Sequence, residues 1–367
     1  MIVVIGGGVV GLASARALLE RGFDVCLLER HPRTGLETST HNSGVVHAGL
    51  YYPPGSLKAR LCVEGRDRLA AYCGAAGVPY QRCGKLIVAA AGEDAALDAL
   101  QANAAANGVS LERVDAAFVA SREPHVAAVA ALWSPETGWV DAERFVRTLE
   151  ADVVRRGGVV LPGTPVVAIE PRAASTSGGI TIVTPLERID ADACVNAAGL
   201  WADEVSRMAG GEPFTIYPCR GEYAELAPRS RGLVRGLVYP VPDASGHGLG
   251  VHLTRTIDGA VWIGPTIRYQ DDKTDYERDR LPLEAFLEPV QALLPRATLD
   301  DLRPGGSGIR AKLHPPSERF ADFLIRRDAR NPFVIHAAGI DSPGLTASLA
   351  IGARVADILE EPHGFAQ

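Results

Sequence analysis

Met1-Ile2-Val3-Val4-Ile5-Gly6-Gly7-Gly8-Val9-Val10-Gly11 opens the chain, and its reading decides the fold. The β-branched run from Ile2 to Ile5 predicts a short buried parallel strand. Glycines at 6, 8 and 11 follow at once in G-x-G-x-x-G spacing. Ala13, Ala15, Ala17, Leu18 and Leu19 then predict a helix that stops at Gly22. Asp24-Val25-Cys26-Leu27-Leu28 predicts a second strand, with Glu29 at its end. Strand, glycine turn, helix and strand make a βαβ unit, so the expected class is α/β with a Rossmann-like sheet.

Each residue of that unit has a physical task in dinucleotide binding. Gly6 permits the tight turn, Gly8 lets a pyrophosphate approach the backbone, and Gly11 lets helix and strand pack closely. The helix N-terminus offers unpaired N–H groups and the positive end of its dipole. Glu29, at the end of the next strand, can accept from a ribose diol, and its charge repels a 2′-phosphate. The spacing alone also occurs in ordinary glycine-rich turns. The flanking strand, the helix and the acid point to a dinucleotide.

Composition narrows the rest. A chain of 367 residues is long enough for two lobes. A net charge of −7 argues against nucleic acid and against a polybasic membrane patch. No apolar run reaches the roughly 18–20 residues of a transmembrane segment. The first strand begins at residue 2, leaving no room for a leader, so the expected setting is cytoplasmic, free or peripheral at the inner face of the membrane. Six dispersed cysteines without a C-x-x-C pair read as reduced thiols, Cys26 and Cys194 inside apolar strands. The nine histidines show no metal-binding spacing, so no metal is expected.

Further along, Ser39 to Gly44 is a polar loop suited to donating backbone N–H groups. Ser56 caps a helix expected to end near Gly74, and Asp141 starts another that stops at Gly157-Gly158. Ala193-Cys194-Val195 runs into Asn196-Ala197-Ala198-Gly199, where a strand again meets small residues and a helix start. Tyr217 to Gly264 reads as alternating strands, and a long apolar helix runs from Leu345 to Leu359. The implied architecture is a discontinuous nucleotide domain, residues 1–80, 141–214 and 301–367. An inserted, mainly antiparallel β lobe takes residues 81–140 and 215–300.

The chain as a whole resembles the D-amino-acid-oxidase-like flavoproteins, and within them the L-2-hydroxyglutarate dehydrogenases and oxidases. The most specific stretch is His41-Asn42-Ser43-Gly44-Val45-Val46-His47-Ala48-Gly49-Leu50-Tyr51-Tyr52, continuing to Cys62. Gly84 to Ala89, Arg220 to Tyr223, Val238 to Pro242 and Gly250 to Thr254 are also similar. The resemblance implies FAD as cofactor and an FAD-dependent oxidoreductase acting on CH–OH, or on CH–NH. It implies that Gly6, Gly8 and Gly11 hold the pyrophosphate and that Glu29, with Arg30 beside it, serves the adenosine end. Asn42, Ser43 and Gly44 would face the isoalloxazine, Val167 would bond the adenine through its backbone, and Gly199 would pack by the pyrophosphate. Gly339, Ser342, Gly344, Leu345 and Thr346 would place the last helix's N-terminus against the flavin carbonyl, stabilising the anionic reduced ring.

For chemistry, the resemblance implies that Arg310, in Gly308-Ile309-Arg310, grips the substrate carboxylate, a task that suits a bidentate guanidinium. Tyr239 would bond the same group or simply fill the β lobe. His47 is the candidate base, because an imidazole near neutrality can take the hydroxyl proton as hydride leaves C2. His252 competes for that role, and covalent attachment of FAD through His47 stays open. A diacid needs a second cation, for which Lys85, Arg60, Arg220 and Lys312 are equal candidates. The expected reaction is oxidation of an L-2-hydroxy acid, L-2-hydroxyglutarate, with oxygen, a quinone or an electron carrier as acceptor. An amino-acid or N-methylamine oxidase and a non-catalytic flavin-binding protein are the alternatives. Residues after Arg310, His314-Pro315-Pro316-Ser317, and Gly339 to Pro343 depart from the hydroxyglutarate pattern.

Overall fold

The structure, a computed structural model, describes residues 1–172, 178–242 and 250–361. Ile2–Ile5 lies in the middle of a six-stranded sheet, paired in parallel with Val25–Leu28 on one side and Ala193–Asn196 on the other. Val159–Leu161 extends the sheet at one edge, and Val334–Ala338 then antiparallel Leu324–Arg327 at the other. Side chains of the central strand alternate between two cores. Ile2 and Val4 face helices Val9–Glu20, Ala142–Arg155 and Gly344–Glu360. Val3 packs with Ile169, Ile180 and Ile182 of a three-stranded antiparallel sheet. Burial on both faces is why this strand has no polar alternation.

Two glycines make the close packing possible. A Cβ on Gly11 would stand 1.9 Å from the Gly6 carbonyl oxygen, and one on Gly352 would stand 2.4 Å from that of Ala13. The second contact lets the last helix lie directly on the first. Ser56 caps helix Leu57–Ala76, accepting from the Ala59 N–H at 3.1 Å. The helix runs past the expected stop at Gly74 and ends at Gly77, which takes the left-handed conformation at φ +70°. Ser56→Ala should cost about 1 kcal/mol, measurable as an earlier urea midpoint.

The second lobe is a nine-stranded sheet. Its two insertions meet where Lys85–Ala89 pairs in parallel with Leu237–Pro240, while its other pairings are antiparallel. Leu302–Lys312 belongs to this sheet too, running antiparallel along Tyr217–Leu226. The expected boundary at 301 therefore falls on the wrong side of an eleven-residue strand. Its Pro304-Gly305-Gly306-Ser307-Gly308 segment carries little strand propensity. The structural reason for Gly308 is proximity: a Cβ there would stand 2.0 Å from the His41 carbonyl oxygen. At that crossing Thr38 Oγ1 donates to the Ile309 carbonyl at 2.8 Å, fastening the loop of one lobe to the strand of the other. No helix among the described residues is long and apolar enough to cross a membrane.

Candidate active site

A cavity of about 1200 Å³ opens at the carboxyl ends of the parallel strands and continues beneath the large sheet. Ordinary small-molecule pockets are roughly 300–1,000 Å³, so this one has room for a dinucleotide and a substrate. Glu29, Gly6 and Gly199 line it at the ends of three neighbouring strands.

The nucleotide half is built by its loops. A Cβ on Gly6 would stand 2.4 Å from the Ala197 carbonyl oxygen, so the two strand-end turns touch through backbone alone. At Gly8 a Cβ would meet Ser39 Oγ at 2.9 Å, and that hydroxyl accepts from the Val9 N–H at 2.9 Å. Buried Glu29 accepts from the Gly7 and His31 N–H groups, each at 2.7 Å, so it clamps the glycine turn as well as facing the cavity. Arg30 stacks over Trp201 with its guanidinium carbon 4.0 Å from the ring centroid. Glu37 ties the same corner, bonding His31 Nε2 at 2.8 Å and Trp201 Nε1 at 3.2 Å.

Not every expected cofactor contact reaches the cavity. Val167 is half exposed, its N–H donates to the Val183 carbonyl, and Thr164, Pro165 and Val166 line the wall in its place. The strand Ala168–Pro171 begins one residue later, and its pairing draws Val167 away. Gly11 and Gly44 act behind the wall, and Gly339 sits against Leu313, which a Cβ there would meet at 2.2 Å. Asn42 spends its side chain on its own loop, bonding Thr38, Ser39 and Gly44 backbone groups, while Ser43 also lines the cavity.

The other half of the cavity gathers His47, Tyr51, Tyr239, His252 and Arg310. The last helix positions His47. Thr346 Oγ1 accepts from its backbone N–H at 3.0 Å, and Ser342 Oγ lies 3.3 Å from Nε2 and 3.4 Å from the Tyr52 hydroxyl. Gly344 and Leu345 complete that wall. His47 Nδ1 is buried without a hydrogen-bond partner. Burial first, then the charges of Lys85 and His252, push the imidazole down to about 3. His252 faces Tyr239 across two strands and stacks on it at 3.7 Å, with Nδ1 held by the Gly250 carbonyl at 2.9 Å. Burial is also the largest cause holding His252 at about 3.

Arg310 lies over Gly221, where a Cβ would stand 2.7 Å from its nearer guanidinium nitrogen. Its contacts are neutral, the Thr266 carbonyl at 3.4 Å and Cys219 Sγ at 4.0 Å, and it forms no ion pair among the described residues. The four candidate second cations separate. Arg60 is exposed. Arg220 is buried but paired with Glu222 at 2.9 Å and Asp275 at 3.6 Å. Lys312 reaches Asp341 at 3.2 Å, sharing it with Lys58 at 2.6 Å. Lys85 is fully buried, its Nζ 4.4 Å from the ring centroids of both Tyr51 and Tyr239. Sequence reading missed Glu37 and Thr266, whose roles come from loop and strand crossings that carry no local motif. It also missed the trio Glu212, Asp328 and His336, within 4.8 Å of one another. That trio lies outside the cavity lining, and Asp328 is occupied by His336 and by the N–H groups of Glu212, Arg330 and Asn331.

The family model described as FAD dependent oxidoreductase (DAO) matches residues 1–358. The L-2-hydroxyglutarate dehydrogenase of Escherichia coli (strain K12) is 32% identical, the alignment covering 96% of this chain and 91% of that protein. The mitochondrial L-2-hydroxyglutarate dehydrogenase of Homo sapiens is 34% identical, covering 98% and 88%. Among solved structures, the dithionite-reduced L-α-glycerophosphate oxidase of Mycoplasma pneumoniae with FAD bound superposes with a TM-score of 0.88 at 25% identity. That match covers 98% of this chain and 94% of that one.

Proposed function

The chain belongs to the DAO family of FAD-dependent oxidoreductases, and from that premise we propose that it oxidises L-2-hydroxyglutarate to 2-oxoglutarate. The observation that carries the reading is an Arg310 guanidinium without an acidic partner among the described residues, facing one chamber with the anchored His47. The cradle fits the cofactor: glycines at the two strand-end turns leave only backbone there, and Glu29 stands beside them. Gly6 and Gly8 would hold the pyrophosphate, Glu29 the ribose, and the residues opening the last helix the flavin ring. FAD, when bound, supplies the acceptor for the hydride that leaves C2.

The protein's own work is binding and proton transfer. Arg310 orients the C1 carboxylate through two parallel N–H donors. The C2 hydroxyl gives its proton to His47, so an alcohol becomes a ketone with one hydride and one proton removed. An alcohol needs such a base, whereas an amine can arrive already deprotonated, and this favours a hydroxy acid over the amine alternative. All six cysteines are free, which supports the reducing setting of the cytoplasm. The electron acceptor is read from reoxidation of the reduced enzyme by air, a quinone or a carrier.

Anaerobic titration of the purified yellow protein is the direct test. One equivalent of L-2-hydroxyglutarate should bleach the absorbance near roughly 450 nm that belongs to the cofactor itself, and the D enantiomer should not. A flavin that stays oxidised under excess L-2-hydroxyglutarate removes this substrate.

A further inference from the structure

The described residues leave three polar atoms in one neighbourhood buried without a hydrogen-bond partner: His47 Nδ1, Tyr51 Oη and Lys85 Nζ. Buried polar groups are nearly always satisfied, so three together are a feature to explain. Lys85 is the sharpest case. It enters from the first residue of its strand, in register with Leu237 and two residues from Tyr239's partner Ile87, and is 0% exposed. The ammonium is held between the Tyr51 and Tyr239 rings, 4.4 Å from each centroid, and both rings line the chamber. Cation–π contacts of this kind offset only part of the cost of burying a charge.

We propose that Lys85, with the Tyr51 hydroxyl, forms the subsite for a second carboxylate, making the enzyme selective for dicarboxylic 2-hydroxy acids. This rests on Arg310 holding the first carboxylate. Among the four cations available, Lys85 alone is both buried and without an acidic partner among the described residues. Lys85 stands against the Tyr239 ring, and that ring stacks on His252, which lines the same chamber as Arg310. Tyr51 Oη and the lysine Nζ are donors with nothing to donate to, and a carboxylate has acceptor sites for both. A monocarboxylic substrate would leave them as they are, so the diacid alone gains the contact.

The groups acting on Lys85 are Tyr51, Tyr239, His47, His252, Cys62 and Cys83, none of them an anion near neutral pH. Burial holds the ammonium down at about 7. A bound carboxylate favours the charged form and raises that value. Above pH 7 a diacid must therefore bring a proton with it, and its affinity weakens as pH rises.

The test uses the flavin-loaded enzyme and two unreactive acids of equal length, glutarate and pentanoate, with affinities read from perturbation of the flavin spectrum. Wild type should prefer glutarate by about 100-fold, the scale of a buried charge contact. K85M should reduce that preference to near unity while holding pentanoate within about threefold, which also reports an intact fold. Y51F, which keeps the ring, should lose part of the preference. Calorimetry at pH 8.5 in two buffers of different ionisation heat should show proton uptake with glutarate in wild type and none in K85M. A K85M enzyme that still prefers glutarate overturns the Lys85 assignment and leaves the diacid reading standing. Wild type that treats both acids alike overturns the subsite. Preference for glutarate without reduction by L-2-hydroxyglutarate keeps the subsite and removes the proposed substrate.

Discussion

Arg310→Leu should raise KM for the hydroxy acid by about two orders of magnitude, within the roughly 2–5 kcal/mol lost when one partner of a buried charge pair is truncated. The fold supports a clean reading of that loss. Arg310 contacts a carbonyl, a thiol and the bare backbone of Gly221, and pairs with no acid among the described residues. Its removal breaks no ion pair there, so flavin content and thermal midpoint should stay near wild type. Arg310→Lys should recover a minor part, since an ammonium gives charge without the bidentate fork. An unchanged KM in the leucine variant would take Arg310 out of the substrate site.

His47→Gln should lower kcat by about 10²- to 10⁴-fold, the usual contribution of a positioned base, with a smaller effect on substrate affinity. His252→Gln should be milder, because that ring is fixed by its stack on Tyr239 and its bond to Gly250. The pH dependence separates the two further. With its pKa lowered to about 3, the imidazole is neutral, the form that can accept a proton, at every pH well above that value. The acid limb of kcat/KM should therefore lie well below the pH 6.5 of an ordinary histidine. Lys85 is among the causes of that depression. A carboxylate placed against Lys85 counters its charge, so His47 grows more basic as the diacid binds. The acid limb of kcat should then stand at a higher pH than that of kcat/KM, and a monocarboxylic substrate should lack the displacement.

The first thirty residues announced their structure because strand, turn and helix are local events, each with its own signature in side-chain spacing. The helix starts at Ser56 and Asp141 were legible for the same reason, since a cap is a single residue with a defined bond. Strand Leu302–Lys312 was not, because its Gly308 answers to a loop some 270 positions away in sequence. His47 and Arg310 could be named from their motifs, but their surroundings could not. The ranking of Lys85 above Arg60, Arg220 and Lys312 depends on where each cation's counter-charge lies, and that is a tertiary fact. Val167, named from the resemblance, stands one position off the cavity wall, which Val166 lines.

The central sheet also sets an order of events during synthesis. Ile2–Ile5 finds one neighbour at Val25–Leu28, but its other neighbour at Ala193–Asn196, which in turn needs Val334–Ala338. The helix that covers the first one, Gly344–Glu360, comes later still. Synthesis must therefore reach helix Gly344–Glu360 before the opening strand can be enclosed, and pairings this distant in sequence form slowly. Until then the apolar opening segment is exposed and prone to associate with other chains.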